Sequence, residues 1–329
     1  MPSAPATTSQ KRRTIPFAMI EDARRHIYEA AVRTPLVRLN WEQAPAEIYL
    51  KLENLQPIGS FKIRGAYNAV RLLPREQRKL GVWTVSAGNA AQGVGFAAQK
   101  AGVPWSVLVM DTAPATKLDA IRRLQGKIVK ASFDECWEAL EARQHPQMQG
   151  TFVHPFEDDE FIAGNATMGL EILEDLPEVD AVVSAFGGGG STCGIACAMQ
   201  ELKPSVKVFA AEPETAWPLA HSLAAGSPQV FPNWKTSWVD GAGGKSVFPR
   251  MWDLAHHLLA GSIVCSLDDI AGAMRIVAER NHVIAEGAGA LAVAAGLSGK
   301  AGSGKVVCVV TGGNIDLSKF CELTGAASR

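Results

Sequence analysis

A chain of 329 residues, 47% of them hydrophobic, can bury a large core and has the length of two domains. Its 32 basic and 33 acidic residues leave a formal net charge of −1, which excludes the charge footprint of a nucleic-acid binder or of a protein held to an anionic membrane. Six cysteines (Cys136, Cys193, Cys197, Cys265, Cys308, Cys321) are scattered without a CxxC pair, which suits a reducing cytosol and offers no zinc pattern.

In chain order, Met1 to Arg13 is polar and rich in small side chains, lacks the apolar core of a signal peptide, and reads as a disordered lead-in. No apolar run is long enough to span a bilayer, so the expectation is a cytoplasmic protein with no membrane partner. Ile48–Leu52 reads as a strand and Ile63–Leu73 as a helix, joined through Gly59-Ser60-Phe61-Lys62, with Ser60 as the N-cap. Lys62 then falls in the first helical turn, where free N–H groups and the helix dipole disfavour a cation. Such a lysine tends to lose its proton, and a neutral amine is a nucleophile able to form a Schiff base; the plain alternative is a solvated loop lysine.

Downstream, short β-branched runs alternate with helical periodicity. The predicted strands are Val82–Val85, Ser106–Met110, Ile128–Lys130, Ala181–Ala185, Val206–Ala211 and Val306–Val310. Between them fall predicted helices at Asn89–Ala101, Lys117–Gln125, Glu135–Arg143, Ile162–Glu174, Thr192–Leu202, Leu267–Asn281 and Glu286–Leu297. Continuous apolar strands separated by helices predict an α/β protein with two open parallel sheets, each covered on both faces. The smaller sheet is expected between Val82 and Gly150, the larger between Ala181 and Thr311. Ligands of such sheets bind beyond the carboxyl ends of the strands, so the strand-to-helix turns carry the functional expectation.

Three of those turns join the lysine turn. Ser86-Ala87-Gly88-Asn89 follows the strand Val82–Val85; its N–H groups suit a carboxylate, although such turns also start helices routinely. Gly187-Gly188-Gly189-Gly190-Ser191 follows Ala181–Ala185, and four glycines cost roughly 0.5–1 kcal/mol each in regular structure. A backbone nest for a phosphate at a helix start would offset that, the alternative being a merely flexible turn. Thr311-Gly312-Gly313-Asn314 follows Val306–Val310 and places a hydroxyl at a strand end, where it can hydrogen-bond a heterocyclic nitrogen without protonating it. A reactive lysine, a carboxylate turn, a phosphate nest and a hydroxyl partner together describe a site for pyridoxal 5′-phosphate and an amino acid.

The set GSFKIRGA, SAGN, GGGG and TGGN, in this order, resembles the serine/threonine dehydratase family of fold-type II pyridoxal-phosphate enzymes, which share the tryptophan synthase beta-like fold. The likeness runs from about Thr34-Pro35-Leu36 to Asn314 and takes in Lys51-Leu52-Glu53-Asn54-Leu55-Gln56 and Glu286-Gly287-Ala288-Gly289-Ala290. It implies a large cofactor-binding domain from residues 14–56 and 158–329 and a small substrate-clasping domain from residues 57–157. By the same resemblance Lys62 is the Schiff-base lysine, Phe61 neighbours the cofactor ring and Asn89 bonds its 3′-oxygen. Gly187, Gly188, Gly189 and Gly190 bind the phosphate, and Thr311 faces the pyridine nitrogen. Ser86, Ala87, Gly88, Asn89 and Ala90 form the loop that clasps the substrate carboxylate. The reaction implied is loss of the β-hydroxyl after Lys62 takes the Cα proton, with hydrolysis to a 2-oxo acid and ammonia.

Three departures qualify the likeness. Ala90 stands where many relatives carry a histidine. Ala87 stands where racemases of the family place a serine, so the second face has no proton donor. Glu212 and Ala216 match a metal site only weakly, because Pro218 replaces its second carboxylate. Competing readings are a serine racemase-type isomerase, a cysteine-synthase-type β-replacement enzyme, a nicotinamide oxidoreductase and a non-catalytic binding subunit. The P-loop-like Gly299 to Lys305 precedes a strand and has Val306 where a hydroxyl is needed. Trp217, Trp234, Trp238, Phe248 and Trp252 are expected as core or subunit contacts, or as a pocket for a bulky β-hydroxy amino acid such as phenylserine. The chain's end soon after Asn314 leaves no room for a regulatory domain and favours catabolism, and the family suggests a homodimer.

Overall fold

Apolar segments of mostly five to seven residues become two sheets in the computed structural model, which describes residues 12–325. The larger has the order β1 (Leu36–Arg38), β2 (Glu47–Lys51), β10 (Lys305–Val309), β7 (Ala181–Ala185), β8 (Lys207–Pro213) and β9 (Gly261–Cys265). All neighbours are parallel except β1 and β2, whose antiparallel register pairs Leu36 with Lys51 and Arg38 with Tyr49. The exception to the all-parallel expectation follows from the loop: residues 39–46 are too few for a crossover, so the chain returns as a hairpin at the sheet edge. The smaller sheet has the order β5 (Lys127–Ala131), β4 (Trp105–Met110), β3 (Val82–Val85) and β6 (Thr151–Phe152), all parallel.

Both sheets are covered on both faces, and the alternation of side chains shows it. Val182, Val208, Val307 and Val309 pack against Met168, Ile172, Ile195 and Met199 of the helices Asp159–Asp175 and Gly190–Leu202. Ala181, Val183, Val306 and Cys308 point the other way, into the helices Leu267–Asn281 and Gly287–Leu297. Gly287–Leu297 is apolar on all sides because sheet and helix enclose it; each buried valine or leucine in such a layer contributes about 1.5–3 kcal/mol. In the smaller sheet Val82, Val107 and Val109 face the helices Lys62–Leu72 and Asn89–Ala101, and Trp83, Val85 and Leu108 face the helix Phe133–Ala142.

The expected disordered lead-in lies, through Lys11, outside the described residues. Arg13, its last member, is bound instead: its guanidinium donates to the carbonyls of Glu157 (2.8 Å) and Arg250 (2.5 Å) and pairs with Asp159. Among the described residues no helix is long and apolar enough to cross a membrane.

Candidate active site

Lys62 lies in the first turn of a helix, as the sequence predicts, but the helix runs Lys62–Leu72 and Ser60 does not cap it. Phe61 holds the cap position without a side-chain cap bond, the first-turn Gly65 N–H donates to Asn165 Oδ1 at 3.1 Å, and the Ser60 hydroxyl is buried without a partner. The Lys62 Nζ donates to the Pro155 carbonyl at 2.7 Å and lies 5.2 Å from the Phe61 ring and 5.5 Å from the Phe161 ring. No carboxylate among the described residues pairs with it. Desolvation therefore goes uncompensated and brings its pKa down to about 8, in the direction expected at a helix start.

Three of the other turns are tied to this lysine. The lysine and threonine turns are zipped through the backbone: Phe61 N donates to Thr311 O (3.0 Å), Gly313 N to Gly59 O (2.9 Å), and Ser60 bridges Gly312. Asn89, the first residue of the helix Asn89–Ala101, accepts from Asn314 Nδ2 at 2.7 Å and donates to Glu286 Oε1 at 2.6 Å. Glu286 N returns to Gly312 O at 3.0 Å, which closes the ring of contacts. Burial first, and the nearby Asp240 second, push the Glu286 carboxyl up to about 7, against the Asn89 hydrogen bond. The Thr311 hydroxyl donates to Ala288 O at 3.1 Å.

The glycine turn is reached through Pro155 and Phe156. A β-carbon on Gly188 would fall inside the Phe156 ring, and one on Gly190 would lie 2.6 Å from Phe156 O. These glycines are thus required by packing, a reason the sequence alone did not reveal. Gly189 has φ of +88°, and the helix Gly190–Leu202 that it starts has no side-chain cap and no acidic residue in its first turn. Gly187 lies under the Gly241 carbonyl, 2.5 Å from where its β-carbon would sit. On the carboxylate turn, Gly88 N donates to Ser86 Oγ at 3.0 Å, Ala87 is half-buried and Ala90 is buried. Nothing lies within 4 Å of where a Gly88 β-carbon would be.

These features fit pyridoxal 5′-phosphate. An uncapped helix start with a left-handed glycine offers N–H groups to a dianionic phosphate. A partly buried amine with no counter-ion suits covalent attachment to an aldehyde, and the orphaned Ser60 hydroxyl leaves an unused donor beside it. A family profile described as "Pyridoxal-phosphate dependent enzyme" matches residues 27–312. The chain belongs to that family.

Pyridoxal phosphate is accordingly its cofactor. Its relatives include the L-threonine ammonia-lyase of Thermotoga maritima, 40% identical over 304 residues, which span 91% of this chain and 75% of the relative. Among solved structures it is similar to maize serine racemase (TM-score 0.87, 30% identity, 96% of this chain and 98% of that one). It is equally similar in identity to processed threonine deaminase isoform 2 of Solanum lycopersicum (TM-score 0.85, 30% identity, 100% and 99% coverage). The fold expected from the sequence is therefore the fold-type II architecture of this family.

Other expectations fare differently. Glu212 is used inside the fold: its two oxygens accept Leu219 N and Ala220 N, each at 2.8 Å, and Ser262 Oγ at 2.6 Å, so it caps the helix Pro218–Ala225. Burial raises it to about 7, and Ala216 beside it is fully buried. Among the described residues no group of three metal-type side chains gathers. The aromatics do not form one pocket. Trp217 packs against Phe231 with tilted rings 4.4 Å apart beside a surface cavity, Trp252 stacks on His256, and Trp238 packs over Gly287. Sequence reasoning missed His154-Pro155-Phe156, a fifth turn after a strand end, which holds Lys62 and covers the glycines.

Proposed function

We propose that this protein is a pyridoxal-phosphate-dependent ammonia-lyase of the threonine/serine dehydratase type. It converts a β-hydroxy amino acid (threonine, serine or a bulkier analogue such as phenylserine) to a 2-oxo acid and ammonia. The observation that carries the reading is the Lys62 amine, bound to one neutral carbonyl and held among the other three turns, with burial bringing its pKa down to about 8. Such an amine can accept a Cα proton at Nζ and return it, which general-base work near pH 7–8 requires.

Bound pyridoxal phosphate supplies the electron sink that makes the Cα proton acidic. The chain's residues do the rest in this reading. Gly187, Gly188, Gly189 and Gly190 would hold the phosphate with backbone N–H groups, Phe61 would pack beside the ring, and Thr311 would offer the ring nitrogen a neutral hydroxyl in exchange for its bond to Ala288 O. Asn89, whose amide bonds Glu286 in the structure, would hold the ring's oxygen. Ser86, Ala87, Gly88, Asn89 and Ala90 clasp the substrate carboxylate in the open space at Gly88. Ala87 carries no proton, which counts against racemisation although a serine racemase is among the similar structures. We also infer a cytoplasmic homodimer in which residues 57–157 move as a substrate-clasping unit.

The test is Lys62→Ala, purified with cofactor, against a panel of L- and D-β-hydroxy amino acids scored for ammonia and 2-oxo acid. Loss of turnover by at least about three orders of magnitude is expected. A variant releasing ammonia at near-parental rate overturns the reading, and comparable efficiency on serine and phenylserine removes the bulky-substrate preference.

A further inference from the structure

His154 follows β6 and is fully buried, yet its Nε2 has no hydrogen-bond partner. Its Nδ1 accepts from two consecutive backbone groups, Phe156 N at 3.4 Å and Glu157 N at 3.1 Å. A ring nitrogen that accepts cannot carry the proton, so the proton sits on Nε2, near the Leu140 backbone and 3.9 Å from Glu157 Oε2. The ring is therefore held as one tautomer, with Nδ1 kept as the acceptor for the turn.

The consequence of that acceptor lies one peptide away. In the trans Pro155–Phe156 peptide the Phe156 N–H and the Pro155 C=O point in opposite directions. Drawing the N–H toward His154 therefore aims the carbonyl away from the ring, and that carbonyl is the one that accepts Lys62 Nζ at 2.7 Å. The turn is braced at both ends: His154 N donates to Asp158 Oδ2 at 2.8 Å, and Arg143 grips Glu157 at 2.6 Å and Asp158 at 2.5 Å. The imidazole is packed among Phe156, Phe152 and Phe248, with ring centres at 4.5, 5.6 and 5.8 Å. Burial, followed by the charges of Arg143, Lys62 and Arg250, pushes its pKa down to about 2, so it remains an acceptor.

We propose that His154 is a positioning residue for Lys62: its neutral imidazole sets the Pro155 carbonyl, which holds the Lys62 amine in place whenever that amine is free. The inference rests on Lys62 being the proton-transferring group. Holding one N–H of a long, flexible side chain confines its lone pair to the two remaining positions on nitrogen, where a free amine would sample many directions.

The experiment compares His154→Leu, which fills the space without an acceptor, with His154→Asn, whose Oδ1 returns an acceptor near Nδ1. Both are measured as holoenzymes for kcat, KM, bound cofactor and amide hydrogen exchange of the segment 153–160. His154→Leu should lose between about tenfold and a hundredfold in kcat, with KM and cofactor content within about twofold, and amides 156 and 157 should exchange faster. His154→Asn should keep kcat within about threefold of the parent and keep both amides protected. Across every variant that folds, amide protection and kcat must move together. A variant in which they part overturns the proposal, and His154→Asn alone suffices should His154→Leu not fold. If Lys62→Ala is inactive while His154→Leu retains parental kcat, only this inference falls; an active Lys62→Ala removes its basis as well.

Discussion

Beneath Lys62, helix Lys62–Leu72 is anchored by a buried ion cluster that offers a sharp test of how the site is supported. Arg64 is fully buried and forks onto Glu53 with two bonds of 2.8 Å and onto Glu171 with bonds of 2.7 and 2.9 Å. Lys51 completes the set, bonding Glu171 at 2.5 Å and the Thr34 carbonyl at 2.7 Å, so two cations face two anions out of water. Burial alone would raise the Glu171 carboxyl, but Arg64 and Lys51 outweigh it and hold the pKa below its ordinary value. Arg64→Met fills similar space and strands two carboxylates with one ammonium. Breaking such a pair costs about 3–5 kcal/mol. For a chain of this length the entropy of unfolding is roughly 0.7 kcal/mol per kelvin, so a 4 kcal/mol loss lowers Tm by about 6 °C.

The pH dependence separates this account from a plain packing defect. In the parent, the depressed Glu171 contributes stability that is present above its unfolded pKa and lost as pH falls through the folded one. Without Arg64, burial dominates and raises the folded pKa, so the variant gains stability from protonation below the unfolded pKa and loses it as pH rises. Denaturant unfolding of cofactor-loaded parent and variant at pH 5.5 and pH 8 should show a larger deficit at pH 8. A deficit under about 1 kcal/mol, or one equal at the two pH values, refutes the reasoning. Arg64→Lys should behave nearly as badly, because one ammonium cannot fork onto two carboxylates.

Glu286, raised to about 7 by burial and by Asp240, binds its proton more tightly folded than unfolded, so its contribution is full below about pH 4.5 and fades as pH climbs through 7. Glu286→Gln should flatten that decline, which is worth at most about 3 kcal/mol, and a parental slope in unfolding free energy between pH 5 and pH 8 argues against it. Gly188→Ala puts a methyl group into the Phe156 ring; a stability loss of about 1–3 kcal/mol by thermal melting and weaker cofactor retention on dialysis are expected, whereas a neutral result would mean Phe156 moves freely. Ser60→Ala removes a buried hydroxyl with no partner, so the apoenzyme should be as stable as the parent or about 1 kcal/mol more so. A destabilised apoenzyme in the same melting assay would show that the hydroxyl is bonded after all.

The sequence's most regular signals reappear almost residue for residue. Val82–Val85, Ala181–Ala185 and the helices Asn89–Ala101 and Leu267–Asn281 have the predicted bounds, since short apolar runs and a capping box such as Ser266 with Asp269 are local properties. What escaped is set by contacts remote in sequence. β6 is two residues long and exists because β3 pairs with it, so no periodicity could reveal the turn that follows. Glu212, at a strand end where a ligand is expected, instead caps a helix seven residues on. The four glycines suit an anion, yet Gly188 and Gly190 also make room for Phe156, whose neighbour Pro155 touches Lys62.

That double use ties the site together. If the glycine turn served only the phosphate, it could be altered at the expense of cofactor binding alone. Because Phe156 rests on Gly188 while Pro155 holds Lys62, a shift in the turn must also displace the amine's support. A larger residue at Gly188 should therefore impair proton transfer as well as phosphate binding, and saturating cofactor should restore occupancy without restoring kcat. The glycine turn and the lysine, some 126 positions apart in sequence, work as one unit through the two residues between them.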